Sequence, residues 1–534
     1  MKILMAAAEN DAFQGGKVGG IGDVVRDIPL ALANVGQQVD VVMPGYGRFS
    51  QLAGAEHITS LQVMFAGQYQ SVDIYCVSLD DISDKSSSVS STEVTQWVIE
   101  HPLFATGGIG KIYCDDPDNR PFASDATKFA LFSAAVAKAI IGGVFGEIDI
   151  LHLHDWHTAM VLLLRAYDPQ YQQLQNIKTV YTIHNLALQG IRPIEGDESS
   201  LKAWFPYLPF DYNQICDPRY HNCINPMRTG INLSDKVHAV SPTYAKEILL
   251  PSNVDQGQYG GEGLENDLRA ANDTGRLHGI LNGCEYPDKV YTRLNLKDLM
   301  KLSEKEVIKW IADKPLIDNA HLIAITRLKQ LIAKKHNKKS IVLTSVGRIT
   351  DQKVRLFQQK MPDGNSAIKH LLNILADDGV FILLGSGDKK LEKFLSDIAA
   401  ENSNFIFLKG YSEALSESMY SSGDLFLMPS SFEPCGISQM LSMRAGQPCI
   451  ANSVGGLADT ITHNQNGFTF TGDNPLQQAS NMLSCFNYSL GKKKNNPKEW
   501  DLISTNALES RYFWRDVAYD YIKYLYVSDS KSVS

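Results

Sequence analysis

The chain has 534 residues, of which 44% are hydrophobic and 20% charged, so two large folded domains are expected and gross disorder is excluded. Its net charge of −9 argues against a duplex nucleic-acid binder, which normally has a basic face. The eight cysteines contain no C-x-x-C pair, which excludes a zinc ribbon or a disulfide framework of the usual kind. No apolar run reaches the ~18 residues of a membrane span, and the first residues resemble a strand more than a signal peptide. We therefore expect a cytoplasmic protein with neither a nucleic-acid nor a membrane partner.

The first half of the chain alternates short apolar runs with helical patterns. A strand-length run at 2–8 is followed by a glycine-rich turn and by helical spacing at 23–35, which ends at Gly36. This order begins a βαβ unit, and βαβ units build parallel sheets. Further strands are predicted at 39–43, 148–153, 178–183 and 237–240, and further helices at 126–141 and 158–166. Ser241 and Pro242 suit the N-cap and the first residue of another helix.

The sheet pattern restarts after about residue 335, so the second half is a second α/β domain. Strands are predicted at 340–347, 379–384, 405–408, 425–428 and 449–452, with helices between them, one of them at 438–445. The polar, helical segment 281–339 is the predicted boundary between the two halves. The last predicted helix, 507–527, is rich in tyrosine.

Two similar glycine turns occur, one in each half. They are V-G-G-I-G-D at 18–23 and V-G-G-L-A-D at 454–459, and each opens a helix. Glycines let backbone N–H groups approach a ligand, and a helix N-terminus attracts phosphate. Lys17 adds a positive charge beside the first turn, although a tight turn with an exposed lysine is an equal alternative.

A cluster of polar residues ends the strand at 148–153. His152 and His154 would share one face of the strand, followed by Asp155 and His157. Metal ligation, sugar binding and helix capping by Asp155 are all possible, and sugar binding is favoured because no matching downstream ligand set is evident. His184 ends the next strand, where a structural and a functional role are equally supported.

Two further motifs suit a sugar joined to a diphosphate. Arg348 and Lys353 follow a strand, and two cations there could neutralise a departing diphosphate, or could simply be solvated. Glu433 lies before Pro434 in a loop and could accept hydrogen bonds from sugar hydroxyls. Cys435 is interpreted as a small packing residue, because no Cys/His dyad is recognisable.

Taken in order, these motifs resemble those of the bacterial glycogen (starch) synthases, retaining glucosyltransferases that use ADP-glucose. The matching segments are K-V-G-G-I-G-D-V, H-D-W-H, T-I-H-N-L-A-L-Q-G, V-S-P-T-Y-A-K-E-I, G-I-L-N-G, G-R-I-T-D-Q-K, G-S-G-D, F-E-P-C-G and V-G-G-L-A-D-T. Each is modest alone, but the ordered set over nearly the whole chain is highly specific.

The resemblance implies a GT-B fold, in which two Rossmann-like α/β domains face each other across a deep cleft. It implies an N-terminal acceptor and catalytic domain at 1–285, an inter-domain segment at 286–339 and a nucleotide-sugar-binding domain at 340–505. Residues 506–534 would form a helix that returns to the N-terminal domain and a frayed tail.

The resemblance also implies roles for individual residues. The implied catalytic residues are Glu433, His184, Asp155, Arg348 and Lys353. The implied donor- and substrate-binding residues are Lys17, Gly19, Gly20, Asp23, Asn282, Tyr411, Cys435, Gly436, Ser438, Gly455, Gly456 and Leu457, with Tyr411 at the position that stacks on adenine. Neither a metal nor a cofactor is implied, since ADP-glucose is a substrate. The implied acceptor is the 4-hydroxyl of an α-1,4-glucan, either glycogen or a maltooligosaccharide.

Several positions depart from the family pattern. They are the segments Cys284-Glu285-Tyr286-Pro287 and Pro226-Met227-Arg228, Val354 where glycine is usual, and Ser438 where threonine is usual. Two alternatives therefore stay open. One is an enzyme of the same fold with another donor, such as UDP-glucose, or a small-sugar acceptor. The other is a non-catalytic glucan-binding paralogue.

Overall fold

The computed structural model describes residues 1–79, 94–287, 291–313, 316–333, 340–376 and 379–527. The tail 528–534, predicted to fray, lies outside these ranges. The chain divides into two compact units. Unit 1 comprises Met1–Pro251, Gly260–Gly283 and Trp514–Ser534, and unit 2 comprises Ser252–Tyr259 and Cys284–Phe513. None of the helices in the described ranges combines the length and apolar composition that a membrane span requires.

Unit 1 is built on one large sheet. Its strands are β1 (Lys2–Ala6), β2 (Gln38–Pro44), β3 (Ala55–Phe65), β4 (Gln68–Val77), β5 (Val94–Glu100), β6 (Ile150–His154) and β7 (Lys178–Ile183), then, after the separate ribbon of β8 (Arg192–Pro193) and β9 (Cys223–Ile224), β10 (Lys236–Ala239) and β11 (Leu277–Gly279). The order across the sheet is β11-β10-β7-β6-β1-β2-β5-β4-β3, and only the β3–β4 and β4–β5 pairings are antiparallel. All five strands predicted in this half are therefore confirmed as parallel strands.

Strands β3, β4 and β5 were not predicted from the sequence. Most side chains of β3 are exposed, so it lacks the continuous apolar run that identified the other strands. Strands β3 and β4 are joined by a two-residue turn, Ala66-Gly67, in which both residues have positive φ, 53° and 73°. Gly67 is the sequence signal for this hairpin, because glycine favours positive φ.

Helices cover both faces of the parallel part of the unit 1 sheet. They are α1 (Gly20–Asn34), α2 (Ala123–Ile141), α3 (Met160–Tyr167), α4 (Leu201–Trp204), α5 (Tyr212–Ile215), α6 (Pro226–Leu233), α7 (Pro242–Glu247) and α8 (Glu265–Asp273). Helix α7 confirms the capping prediction, because the Ser241 side chain accepts a hydrogen bond from the Tyr244 N–H and Pro242 is the first helical residue.

Unit 2 contains a six-stranded sheet in which every pairing is parallel. Its strands are β12 (Ile341–Val346), β13 (Gly379–Gly385), β14 (Phe405–Lys409), β15 (Leu425–Met428), β16 (Cys449–Asn452) and β17 (Gly467–Phe470), in the order β14-β13-β12-β15-β16-β17. Its helices are α9 (Leu296–Ala312), α10 (Asn319–Ala333), α11 (Asp351–Gln358), α12 (Ala367–Leu375), α13 (Lys389–Glu401), α14 (Glu413–Ser422), α15 (Ser438–Met443), α16 (Gly455–Thr460), α17 (Pro475–Asn495) and α18 (Pro497–Glu509). The predicted α/β fold with two Rossmann-like domains is confirmed.

The segment predicted to join the domains, 286–339, lies within unit 2 wherever it is described. Leu299 and Val307 of α9 and Leu328 of α10 are buried in one cluster with Val380 and Ile382 of β13. These helices therefore cover one face of the sheet, because their apolar stripes have a core to bury against.

The predicted continuous helix 507–527 is wrong. Helix α18 ends at Glu509, residues 510–513 are not helical, and α19 (Trp514–Asp520) begins a second helix that continues as a π-helical turn, Tyr521–Tyr526. Helix α19 and the turn belong to unit 1, so the predicted return of the C-terminus to the first domain is confirmed.

The break in this helix follows from where each part is buried. Ala507 lies in a cluster of unit 2 with Phe426. Tyr521 and Leu525 instead lie in the core of unit 1 with Ile3 of β1 and Ile28 of α1. The helical periodicity of the sequence indicates that α18 and α19 each have an apolar face. It does not indicate that these two faces pack in different cores.

Each main sheet reverses its strand order at one point. This switch point lies between β1 and β6 in unit 1 and between β12 and β15 in unit 2. Open parallel sheets bind ligands beyond the carboxyl ends of the strands at this point. The first glycine turn and H-D-W-H follow β1 and β6, and G-R-I-T-D-Q-K and F-E-P-C-G follow β12 and β15. Four of the motifs singled out in the sequence therefore lie at the switch points, whereas His184 and Gly455 follow β7 and β16.

Candidate active site

Glu9 anchors the glycine turn that follows β1. Its side chain is buried, and one carboxylate oxygen accepts hydrogen bonds from the N–H groups of Val18 and Gly19, both at 2.7 Å. The other oxygen accepts a hydrogen bond from the Tyr113 hydroxyl, also at 2.7 Å. Glu9 was not predicted from the sequence, since nothing in its spacing connects it to a turn nine residues later. The N–H groups of Val18 and Gly19 are thus used by the protein itself.

Lys17 lies in the same turn and is held by two carboxylates. Its ammonium group is 2.9 Å from Asp11 and 2.6 Å from Asp23. Burial opposes the charge of Lys17, but the attraction and hydrogen bonds of Asp23 and Asp11 outweigh it and raise its pKa. Gly22 must be glycine, because a Cβ there would lie 2.4 Å from the Lys17 Cβ, whereas a Cβ at Gly20 would meet open space. The predicted residues Lys17, Gly19, Gly20 and Asp23 are therefore brought together.

Asp155 has an unusual backbone at the end of β6. Its φ of 54° is in the region that favours glycine, which is typical of functional sites. Its carboxylate accepts a hydrogen bond from the backbone N–H of His184 at 2.7 Å and caps no helix, so the capping alternative fails. Burial raises its pKa to about 8, against the stabilising N–H groups of His184 and Asn185. The predicted pair Asp155 and His184 is thus in direct contact.

The histidines of this region form a stack. The rings of His152 and His154 are 4.6 Å apart and 12° from parallel, as predicted for one strand face. His154 Nδ1 lies 2.9 Å from His184 Nε2, and His154 Nε2 has no hydrogen-bond partner among the described residues. Burial lowers the pKa of His154 to about 3 and that of His184 well below its usual range, so both rings are neutral at pH 7.

A chain of hydrogen bonds links Tyr526 in the C-terminal turn to His152, Thr182 and His238 of the sheet. The donor and the acceptor of each bond can be deduced. The carbonyl of Ile280 can only accept, so His238 Nε2 carries the proton and His238 Nδ1 accepts one from the Thr182 hydroxyl, at 3.0 Å. Thr182 therefore accepts from His152 Nε2–H at 2.6 Å, and His152 Nδ1 accepts from the Tyr526 hydroxyl at 2.8 Å. The four side chains are buried, so the chain fixes neutral tautomers for His152 and His238.

Asn282 is the remaining predicted site residue of unit 1. Its side chain is buried, and its Oδ1 accepts no hydrogen bond from any described residue. Metal ligation by the histidines has no geometric support, since the described ranges contain no cluster of three or more residues that could hold a metal ion.

In unit 2, Lys353 and Glu433 form an ion pair at the switch point. The Lys353 ammonium donates to a Glu433 carboxylate oxygen, which also accepts from the Ser430 hydroxyl at 2.9 Å. Gln352 joins the same two loops, because its side chain donates to the Phe432 carbonyl at 2.7 Å. The pairing follows from the sheet order, since β12 and β15 are neighbours although their loops are far apart in the chain.

Arg348 lies in the loop that joins β12 to α11, whereas Lys353 is in the first turn of α11. The Arg348 side chain is exposed and makes no ion pair or hydrogen bond with the described residues. Of the three cations predicted to bind a diphosphate, Lys17 and Lys353 are therefore paired with carboxylates and Arg348 is not. Tyr411, predicted to stack on adenine, is 65% exposed at the end of the β14 loop.

The second glycine turn packs against the Glu433 loop. A Cβ at Gly455 would lie 1.9 Å from the Glu433 carbonyl oxygen, and one at Gly456 would lie 2.1 Å from the Cys435 carbonyl oxygen. The Gly456 N–H already donates to the Glu433 carbonyl at 3.1 Å, and the Leu457 N–H to the Val454 carbonyl at 3.0 Å. These two N–H groups are therefore not available to a phosphate in this arrangement.

The other predicted residues of this loop have local roles. Cys435 is buried, consistent with a packing residue. Gly436 has φ of 73°, a conformation that favours glycine. The Ser438 hydroxyl lies 3.0 Å from the Tyr420 hydroxyl at the start of α15.

Comparison of the chain with known proteins shows the family to which it belongs. Residues 2–270 match the model of the starch synthase catalytic domain, and residues 327–499 match that of the glycosyl transferases group 1. The chain is 31% identical to the glycogen synthase of Desulfitobacterium hafniense and 31% identical to that of Bacillus anthracis, with 98% of each chain covered in both cases. The chain belongs to the glycogen synthase family. It is therefore a glycosyltransferase, as the resemblance implied.

A solved structure of the same family has the same fold. The catalytic domain of starch synthase IV from Arabidopsis thaliana, solved with ADP and acarbose, matches with a TM-score of 0.71 and 25% identity over 98% of both chains. The predicted GT-B fold class of this family member is confirmed.

Three departures from the family pattern have packing roles here. Val354 is buried in the core of unit 2. The Met227 sulfur accepts a hydrogen bond from the Tyr181 hydroxyl at 3.3 Å, and Arg228 pairs with Asp267 at 2.9 Å. None of these contacts involves a predicted site residue.

Proposed function

We propose that this glycogen synthase family member transfers glucose from ADP-glucose to the non-reducing 4-hydroxyl of an α-1,4-glucan, with retention of configuration. The acceptor is glycogen or a maltooligosaccharide, and neither a metal nor a cofactor takes part. The observation that carries the proposal is the Lys353–Glu433 pair at the switch point of unit 2. A cation for a phosphate lies beside an acceptor for sugar hydroxyls, which is the pairing that a nucleotide sugar requires.

In this proposal unit 2 binds the donor. Arg348 and Lys353 neutralise the diphosphate as the bond between glucose C1 and oxygen breaks and positive charge develops on the ring. Glu433 accepts hydrogen bonds from the donor glucose hydroxyls, and Tyr411 stacks on the base. Lys17 is proposed as a further cation for the diphosphate. The acceptor hydroxyl attacks from the side of the departing phosphate, which takes its proton, so no protein nucleophile is needed.

Asp155 and His184 position the sugar hydroxyls. With a pKa of about 8 the Asp155 carboxyl is mostly protonated at pH 7 and can donate a hydrogen bond. The His184 ring is neutral at pH 7, so it can hydrogen-bond to a sugar hydroxyl. Because it carries no positive charge, it does not attract the phosphate in place of the lysines. Both roles are binding roles, which agrees with a mechanism that needs no general base from the protein.

The test is incorporation of radioactive glucose from ADP-glucose into glycogen by the purified chain and by two variants, Glu433→Gln and Lys353→Met. Each variant removes a charged contact to the reacting group, so kcat should fall about a hundredfold, equivalent to ~3 kcal/mol. Lys393→Met is the matched control, because Lys393 is an exposed lysine of the same unit that pairs with Asp397. Activity of Glu433→Gln within a few-fold of the parent would refute the role of that loop.

The same assay separates the alternatives. Incorporation from UDP-glucose with none from ADP-glucose would overturn the proposed donor. Binding of glycogen without turnover of either donor would indicate a glucan-binding paralogue.

A further inference from the structure

The side chains around Lys17 form a compact charged cluster in unit 1. It contains Lys17 and Arg26 as cations and Asp11, Asp23 and Asp27 as anions, so it has one negative charge more than positive charges. We propose that Asp11 and Asp23, which we call the acidic clamp, hold Lys17 in competition with the donor diphosphate, and that Asp11 thereby sets the affinity for the nucleotide. This inference rests on the proposed function, because it assumes that Lys17 contacts the donor.

The geometry shows how the clamp occupies Lys17. An ammonium group has three hydrogen-bond donors. Asp11 takes one at 2.9 Å and Asp23 takes another at 2.6 Å, which leaves one for any further ligand. Asp11 is itself held in place by Arg26, whose Nη1 lies 2.7 Å from the same carboxylate oxygen.

The clamp is accessible to a soluble anion. The exposed fractions of the Lys17, Asp11 and Asp23 side chains are 31%, 21% and 23%. A diphosphate that approaches Lys17 therefore meets two carboxylates at contact distance from the ammonium. Like charges at this distance repel, and the ion pairs must be weakened before Lys17 can bind phosphate.

Asp11 and Asp23 differ in what else they do. Asp23 lies in the first turn of α1, where a carboxylate stabilises the helix through its dipole. Asp11 precedes the helix, and its backbone N–H donates to the Gly22 carbonyl at 3.1 Å independently of its side chain. Asp11→Asn therefore removes the charge while it keeps the backbone contact, the side-chain size and one acceptor oxygen.

The expected size of the effect follows from competition. The apparent dissociation constant of a ligand rises as the fraction of the binding-competent state falls. For a partly exposed ion pair this amounts to about fivefold. Asp11→Asn should thus bind ADP about fivefold more tightly and lower the KM for ADP-glucose by a similar factor, with kcat unchanged. A purely structural role of Asp11 would instead weaken binding or lower kcat.

The first experiment measures ADP binding to the full chain by titration calorimetry. Asp11→Asn is compared with Lys17→Met, with the double variant, and with Asp73→Asn, which makes the same change of charge at a side chain of β4 that is 45% exposed. We expect tighter binding only in Asp11→Asn, and no gain from Asp11→Asn when Lys17 is already replaced. Equal or weaker binding by Asp11→Asn, or a gain that persists in the double variant, would overturn the proposal.

The second experiment tests the clamp without any nucleotide. An N-hydroxysuccinimide ester acylates the unprotonated amine, and mass spectrometry reports the modification of Lys17. Since both carboxylates favour the protonated form, Asp11→Asn should raise the acylation rate of Lys17, and Asp73→Asn should not. An unchanged rate in Asp11→Asn refutes the clamp itself. Failure of the parent protein to bind ADP, with Lys17 still more reactive in Asp11→Asn, would refute the proposed donor and leave the clamp standing.

Discussion

The buried histidines of unit 1 make its stability strongly dependent on pH. Five of them have pKa values lowered by burial, to about 3 for His154 and His157, to about 4 for His238, and well below the usual range for His152 and His184. Their usual value in an unfolded chain is about 6.5. The unfolded chain therefore binds about four protons at these positions at pH 6, and nearly five at pH 5, that the folded chain does not.

Asp155 affects the pH dependence of the stability of unit 1 in the opposite direction. Burial raises its pKa to about 8, so from about pH 4 to about pH 8 it is protonated in the folded chain and ionised in the unfolded chain. Its contribution to stability is present at low pH and is lost as the pH rises through 8. The contribution of the histidines is present above pH 6.5 and is lost as the pH falls.

The net uptake on unfolding is therefore about three protons at pH 6 and about four at pH 5. The free energy of unfolding should then fall by about 4 kcal/mol from pH 6.5 to pH 5.5 and by about 5 kcal/mol over the next pH unit, since each proton contributes about 1.4 kcal/mol per pH unit. A domain has a stability of about 5–15 kcal/mol, so unit 1 should unfold between about pH 5 and pH 3.5.

Urea unfolding at half-unit steps from pH 7.5 to pH 5, with the proton uptake counted in weak buffer, measures this slope between pH 6 and pH 5. Two variants of unit 1 should change it in opposite directions. His238→Gln should lower the uptake by about one proton, and Asp155→Asn should raise it by about one, because Asn cannot bind the proton that Asp155 holds in the folded state. A parent slope between pH 6 and pH 5 at or below about 1.4 kcal/mol per pH unit, one proton, would refute the assignment of neutral, buried imidazoles.

Two further predictions concern packing. Gly456→Ala should lower the free energy of unfolding by more than about 2 kcal/mol and reduce activity, because its Cβ would lie 2.1 Å from the Cys435 carbonyl oxygen, whereas Gly20→Ala, whose Cβ meets open space, should leave thermal stability unchanged. Equal melting temperatures for these two alanine variants would contradict the close contact. Tyr526→Phe should cost about 1–2 kcal/mol, since His152 Nδ1 is left buried without its donor, and nitrogen-15 spectra of the parent should show the Nε2–H tautomer of His152. The Nδ1–H tautomer would refute the deduced direction of the hydrogen-bond chain.

Much of the fold could be predicted from local patterns. Apolar runs of strand length located ten of the parallel strands, because a strand buried on both faces must be apolar throughout, but they missed the parallel strands β5, β11 and β17. The hairpin of β3 and β4 was missed because most of β3 is exposed and its pattern is weak. The break between α18 and α19 was missed because a helical periodicity does not report which core the helix packs against.

The motifs of the candidate site could be recognised from the sequence, but the contacts between them could not. Its motifs were recognisable because each follows a strand and contains residue types with a chemical purpose, such as Arg348, Lys353 and Glu433. The contacts of Glu9 with the first glycine turn were not predictable, since hydrogen bonds between a side chain and a distant backbone have no periodic signature. The same holds for the clamp on Lys17, in which Asp11 is six residues away and Arg26 fifteen residues from Asp11.

The sequence by itself therefore determined the family, the α/β class and the chemistry available at each strand end. Only the tertiary structure decided which strand ends are neighbours, and hence that Lys353 pairs with Glu433 and that Asp155 meets His184. The physical reason is that residue type and periodicity are local properties, whereas sheet order depends on hydrogen bonds between strands far apart in the chain. The structure also decided the charge states, because burial lowers the pKa of His154 and raises that of Asp155, and burial is a property of the packed chain.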